Sequence, residues 1–195
     1  LMGDVSGAGP HYDGLPGTPA VSLPNLNAPA GLLTVPVAVD NLTDLGAISY
    51  DLQVTFDPTV LQPASPPAMT NPDTLSVARS ISWNVTNPGH MIVSIFGTDG
   101  LTGSGTLIKL RFNVIGIPGQ STALTFADYT DPADRIHQGF LFNEGTPSVT
   151  TTNGSVTVVP GSASPTPTYT PTATPTGTPM PVPVWLPVIG AARGS

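Results

Sequence analysis

The feature that most restricts what this chain can fold into is a two-residue alternation of apolar and polar side chains, interrupted at short intervals by proline, glycine, asparagine and aspartate. In GAISYDLQVTF (46–56), Ile48, Tyr50, Leu52, Val54 and Phe56 fall on one side, and Ala47, Ser49, Asp51, Gln53 and Thr55 on the other. A β-strand turns successive side chains to opposite faces, so this pattern gives one buried and one solvated face. TLIKLRFNV (106–114) repeats it, with Ile108, Leu110, Phe112 and Val114 inward and Lys109, Arg111 and Asn113 outward. Further strands are expected near 20–26, 32–39, 75–82, 90–97, 121–126, 139–142 and 147–158. They are separated by breakers such as Asp57-Pro58 and Asp99-Gly100. About nine half-buried strands with no helical period predict an all-β fold, an antiparallel two-sheet β-sandwich.

Composition divides the chain. Residues 1–19 are rich in glycine and proline without periodicity and read as an extended N-terminal arm. The sandwich is expected over 20–159, a Pro/Thr-rich linker over 160–180, and an apolar extended tail over 181–195. With no cysteine there is no disulfide framework and no thiolate metal site, so the core must be large enough to hold itself. The formal net charge is −7, and the only cations are Lys109, Arg79, Arg111, Arg135 and Arg193. Nucleic-acid binding needs a basic patch that releases phosphate counterions, and an anionic membrane surface needs the same, so both are excluded as partners. No apolar run reaches the roughly 18 residues of a membrane span. A surface rich in Thr, Ser, Asn and Gly and poor in charge suits a secreted, extracellular or cell-surface protein. No basic and apolar leader opens the sequence at Leu1, so a signal peptide, if one existed, is expected to be gone already, and export is inferred from composition.

Catalysis is not expected. His11, His90 and His137 are dispersed, and no G-x-S-x-G turn precedes a helix. No cofactor is expected; the one metal the acidic loops would suit is calcium, at Asp131, Asp134 and His137 in DPADRIH or at Asp40 and Asp44. Such clusters are more often plain solvated loop residues. Asn41, Asn84 and Asn153 each begin an N-glycosylation sequon, and the Thr-rich linker is the better candidate for O-glycans.

Taken in order, the strands resemble the cohesin domain, the module by which bacterial scaffoldins capture dockerins. The likeness rests on Val35-Pro36-Val37, GAISYDLQVTFDPTVL (46–61), GSGTLIKLRFNV (103–114), PGQSTALTF (118–126) and NGSVTV (153–158). Asp57-Pro58 should turn the chain out of one strand, letting Val60 and Leu61 dip back and plug the sandwich end. Gly103 and Gly105 should allow a tight turn into the long strand. The resemblance implies a cohesin-like jelly roll that binds a partner on one sheet face. Two family contact positions there, usually Asn and Asp, fall on Ser49 and Asp51; Asp51 keeps the pattern and Ser49 departs from it. Gln53 follows on the same face.

The tail reads Pro-Val-Pro-Val-Trp-Leu-Pro-Val over 181–188. In an extended strand its three prolines remove donors from one edge only, leaving the other edge able to pair. Val182, Val184, Trp185, Leu186 and Val188 are the candidate anchors for insertion beside another sheet, as strand-addition ligands do. A polyproline-like linker from Gly161 to Met180 would reach roughly 60 Å, against a radius of gyration near ~14 Å for a 140-residue domain. The expected function is therefore a non-catalytic structural subunit that joins other copies of itself into a homo-oligomer or filament by strand or tail exchange. The alternatives are capture of a dockerin-bearing protein, or a surface glycan-binding spacer. The last would want a row of exposed aromatics, and the only tryptophans are Trp83 and Trp185.

Overall fold

The computed structural model describes residues 17–130 and 133–161. These form strands β1 (Ala20–Ser22), β2 (Asn25–Ala28), β3 (Gly31–Val39), β4 (Ser49–Thr55), β5 (Leu61–Met69), β6 (Ser80–Asn84) and β7 (His90–Phe96). There follow β8 (Gly105–Val114), β9 (Ser121–Phe126), β10 (Tyr129–Thr130), β11 (Ile136–His137), β12 (Phe140–Phe142), β13 (Thr150–Thr152) and β14 (Gly154–Val158). No helix occurs among the described residues, and so none that is long and apolar enough to cross a membrane.

A five-stranded sheet runs in the order β13-β1-β3-β8-β5. It faces a seven-stranded one, β2-β14-β9-β4-β7-β6, in which β12 also pairs with β4; β10 and β11 form a separate small hairpin. The long antiparallel pair β3/β8 organises the first sheet, with Val35 opposite Leu110 and Leu33 opposite Phe112. In the second, β4 lies at the centre, with Leu52 opposite Val93 of β7 and Phe140 of β12. Both inner faces are apolar because the sequence alternates. Ile108, Leu110, Phe112 and Val114 are buried against Tyr50, Leu52, Val54, Met91, Val93 and Ile95. Fully burying side chains of this size stabilises the fold by roughly 1.5–3 kcal/mol each. Tyr50 stacks on Phe140 at 5.7 Å between ring centroids, and Phe56 meets Phe112 edge-on at 5.1 Å.

The Asp57-Pro58 turn is built as expected. The Asp57 carbonyl accepts the Val60 and Leu61 amides at 3.0 Å, and its Oδ1 accepts the Thr59 amide at 2.8 Å. Val60 and Leu61 are buried at the sandwich end. Gly103 and Gly105 take positive φ, as the turn into β8 requires.

Several expectations need correction. Ile48, placed inward by the alternation, is 41% exposed, whereas Ala47, placed outward, is fully buried. β4 begins only at Ser49, and Gly46 with φ 68 shifts the phase of the alternation before it. The strand expected near 75–82 begins instead as a turn, with Ala78 at φ 61, and runs from Ser80 to Asn84. β5, with Pro63, Pro66 and Pro67, was not expected, nor were β10 and β11. Two pairings, β1 with β13 and β2 with β14, are parallel.

Candidate functional site

The outer face of β12-β4-β7-β6 carries the residues that the sequence put forward for binding. Directly opposed residues in an antiparallel ladder share a face. Ser49 thus lies in a row with Phe96 and Ser80, Asp51 with Ser94 and Ser82, and Gln53 with Ile92 and Asn84; Leu141 of β12 lies opposite Asp51. Phe96 is 53% exposed, and Ile48 and Val77 stand open near the same end. Half-buried Asp51 borders a recess of about 80 Å³ shared with Ile92, Ile136, Gln138 and Leu141. Ile136, on the β10–β11 hairpin, is 71% exposed. The face combines apolar side chains, serine hydroxyls and one carboxylate, a composition suited to holding another protein's surface.

Ser49, Asp51 and Gln53 fare differently. Ser49 is half-buried and its backbone is tied to Asn143: Oδ1 of Asn143 accepts the Ile48 and Ser49 amides at 2.9 and 3.2 Å, and the Asn143 amide donates to the Ser49 carbonyl at 2.9 Å. Asn143 Nδ2 donates further to the carbonyls of Gly46 and Thr146, and its φ of 48 lies in the left-handed region that Asn tolerates. Asp51 keeps its place on the face. Gln53, expected on the same open face, is fully buried. Residues 127–130 and 133–139 lie at that end of the sheet, where the Gln53 amide donates to the Gly139 carbonyl at 2.9 Å. Gln53 Nε2 lies 3.1 Å from His90 Nδ1, while Oε1 has no partner. The His90 ring sits 4.5 Å from that of Tyr129, whose hydroxyl is bonded to Asn87 Nδ2. One end of the face is thereby closed and the Ser49–Asp51 end left open.

Below this face Tyr50 is buried with its hydroxyl 2.7 Å from Ser76 Oγ, and burial holds the phenol far above its ordinary pKa. The Asp57 carboxyl is held below the usual carboxylate range, chiefly by the Thr59 hydroxyl, and Asp73 likewise by Lys109.

The sequon asparagines Asn41, Asn84 and Asn153 are all exposed, but each Oδ1 accepts a backbone amide, from Thr43, Thr86 and Phe126 respectively. Asp40 is likewise engaged, by the Ala20 and Asn41 amides. Among the described residues no three His, Cys, Asp or Glu side chains come together as a metal site. Asp131 and the tail anchors Val182, Val184, Trp185, Leu186 and Val188 lie outside the described residues, as do the arm to residue 16 and the linker beyond 161. Phe96 and Ile92 could have been read from the alternation in 90–96. Asn143 and Ile136 could not, because their roles depend on contacts distant in sequence.

Two sheets packed face to face, with an open, mixed apolar and polar outer surface, define a binding module. The family model for the Cohesin domain matches residues 19–158, most of the chain, and the protein belongs to the cohesin family, whose members are structural protein-interaction modules. No curated protein matches the chain. Solved structures with this fold include a non-cellulosomal cohesin from the archaeon Archaeoglobus fulgidus, with 23% identity and TM-score 0.55, covering 73% of this chain and 92% of that one. The sixth cohesin of Acetivibrio cellulolyticus scaffoldin B, solved in complex with a Cel5 dockerin mutant, has 21% identity and TM-score 0.55 and covers 73% and 99%. A type III cohesin of the ScaE cell-surface anchoring scaffoldin of Ruminococcus flavefaciens has 15% identity and TM-score 0.54 and covers 73% and 88%.

Proposed function

We propose that this module acts outside the cell as a non-enzymatic connector that captures a dockerin-bearing protein on the open part of the β12-β4-β7-β6 face. The observation that carries this reading is the row Ser49, Phe96 and Ser80 beside Asp51, Ile92 and Leu141: a large exposed aromatic next to a half-buried carboxylate. Exposed aromatic anchors dominate binding energy at protein interfaces. Structural relatives solved with dockerins supply the partner class. Calorimetric titration with dockerins encoded by the source organism should give nanomolar-to-micromolar binding. Phe96→Asp should weaken it at least about tenfold, and Asp51→Lys likewise, because a buried anchor or charge contact contributes 1.4 kcal/mol or more. Absence of binding by every such dockerin, or affinity unchanged in both variants, would overturn the reading.

A second reading, joining of copies through the 181–188 tail into an oligomer or filament, is favoured by one observation: β6 is a sheet edge of five residues without proline. Electron microscopy of the full chain should then show filaments or short chains of particles. Val184→Asp/Leu186→Asp should show single particles only.

A further inference from the structure

Apart from the three-residue β12, which pairs only with β4, the two sheets have four outer edges among the described residues, and three are shielded. β13 is three residues long; β2 has four, between Pro24 and Pro29. β5 carries Pro63, Pro66 and Pro67, and its Ser65 and Pro66 carbonyls accept Arg111 Nη1. Short, proline-bearing or side-chain-capped edges resist strand addition. β6 has none of these devices.

Beside β6 the two layers do not close. Ile81, Trp83 and Val85 alternate on the inner side of β6 and its continuation; Trp83 lies opposite fully buried Val93. Ile81 packs on the core, but Trp83 is 43% and Val85 37% exposed. Next to them opens a groove of about 310 Å³ lined by Phe56, Pro58, Leu61, Pro63, Val85 and Pro88. Its walls come from the start of β5 and from the turns after β4 and β6, and nothing in the described sandwich fills it.

We propose that the β6 edge and this groove form the acceptor for residues 181–188 of a second copy, added as a further strand of the seven-stranded sheet. The inference rests on the self-assembly reading above and names its acceptor. The chemistry matches at two levels. The even-numbered residues Val182, Val184, Leu186 and Val188 keep their amides for β6, while Pro181, Pro183 and Pro187 leave the far edge only the Trp185 donor, so it is poorly suited to recruit another strand. With the even-numbered side chains turned inward, four aliphatic groups extend the row Ile81-Trp83-Val85 over the groove. A second copy is chosen because a Pro-rich linker of this composition, if polyproline-like, would act as a semi-rigid spacer reaching roughly 60 Å and would resist the reversal needed to reach its own domain. The linker starts beyond Gly161, which lies beside Pro29.

Complementation between two full-length variants tests this by light scattering after size exclusion. Val184→Asp/Leu186→Asp removes the donor, and Trp83→Lys/Val85→Asp, at exposed positions, removes the acceptor. Wild type should form species above the single-chain mass that grow with concentration. Each variant should lose them and run as a single chain, and an equimolar mixture should recover a two-chain complex that does not grow. Assembly of the Trp83→Lys/Val85→Asp variant at wild-type level would overturn this acceptor while leaving tail exchange standing. Assembly of the donor variant at wild-type level would overturn both, and a wild type that is a single chain at every concentration would do the same, including the case of a tail folded onto its own groove.

Discussion

Gln53 is a buried amide of which only one polar atom is satisfied: Nε2 meets His90 Nδ1 and Oε1 meets nothing. An unpaired buried acceptor costs about 1–3 kcal/mol, and an apolar side chain of similar shape is often neutral or better. Gln53→Met should therefore leave the urea midpoint unchanged or raise it, since half-buried His90 retains access to water. Asn143→Ala should behave in the opposite way. It removes acceptance of the Ile48 and Ser49 amides and donation to Gly46 and Thr146, and places alanine at φ 48, so a loss of about 2 kcal/mol is expected. A midpoint that falls in Gln53→Met as far as in Asn143→Ala would show that the amide is needed for packing around His90. The contrast also marks what alternation can convey. It places Gln53 correctly on the outer side of β4, but the contacts that close over it come from Tyr129 and Gly139, more than seventy residues later. A strand's pattern reports its two faces and not what folds over them.

At the scale of elements, β4, β7, β8 and β9 were legible because both their alternation and their bounding turns lie in contiguous sequence. β5 was not, because three prolines in nine residues argue against a strand, and only its place at a sheet edge beside β8 reconciles them. The turn joining β4 to β5 makes a pH prediction. Asp57 accepts the Thr59 amide and hydroxyl at 2.8 and 2.7 Å, and its carboxyl is held below the usual range; Asp73 is held down in the same way by Lys109. A carboxyl whose folded pKa lies below its unfolded value of about 3.9 adds stability that is fully present above that value. The contribution is lost as pH falls through the folded pKa, so melting temperature should drop below about pH 4. Asp57→Asn/Asp73→Asn, followed by circular dichroism melts from neutral to acid pH, should give a shallower acid limb. Both sites are solvent-exposed, so the change should be small, and parallel limbs in variant and parent would remove these two carboxylates as its source.

For the molecule as a whole, the two-sheet architecture and the cohesin resemblance were both readable, since most core positions belong to alternating strands. Of the candidate face, Ser49, Asp51, Ile92 and Phe96 lie in alternating sequence and were open to reading one by one, but the patch is assembled across β4, β7, β12 and the β10–β11 hairpin, and no one of these segments displays it. Whole-chain charge acts at this same scale. Twelve acidic against five basic residues leave the folded chain at −7, and compaction brings these like charges closer than in the unfolded chain. Screening should relieve that repulsion. At 0.15 M salt the Debye length is about 8 Å, against about 30 Å at 0.01 M, so distant carboxylates cease to interact while hydrogen-bonded contacts persist. Raising sodium chloride over this range at pH 7 should increase the melting temperature by a few degrees, equivalent to about 1 kcal/mol. Chloride is preferred to sulfate, which would strengthen apolar burial by itself. The Val184→Asp/Leu186→Asp chain is the suitable sample because assembly would otherwise add its own salt dependence, and its two added carboxylates only increase the repulsion being screened. A melting temperature that falls with salt would mean that attractive pairs of the Lys109–Asp73 kind outweigh the net charge in setting this sandwich's stability.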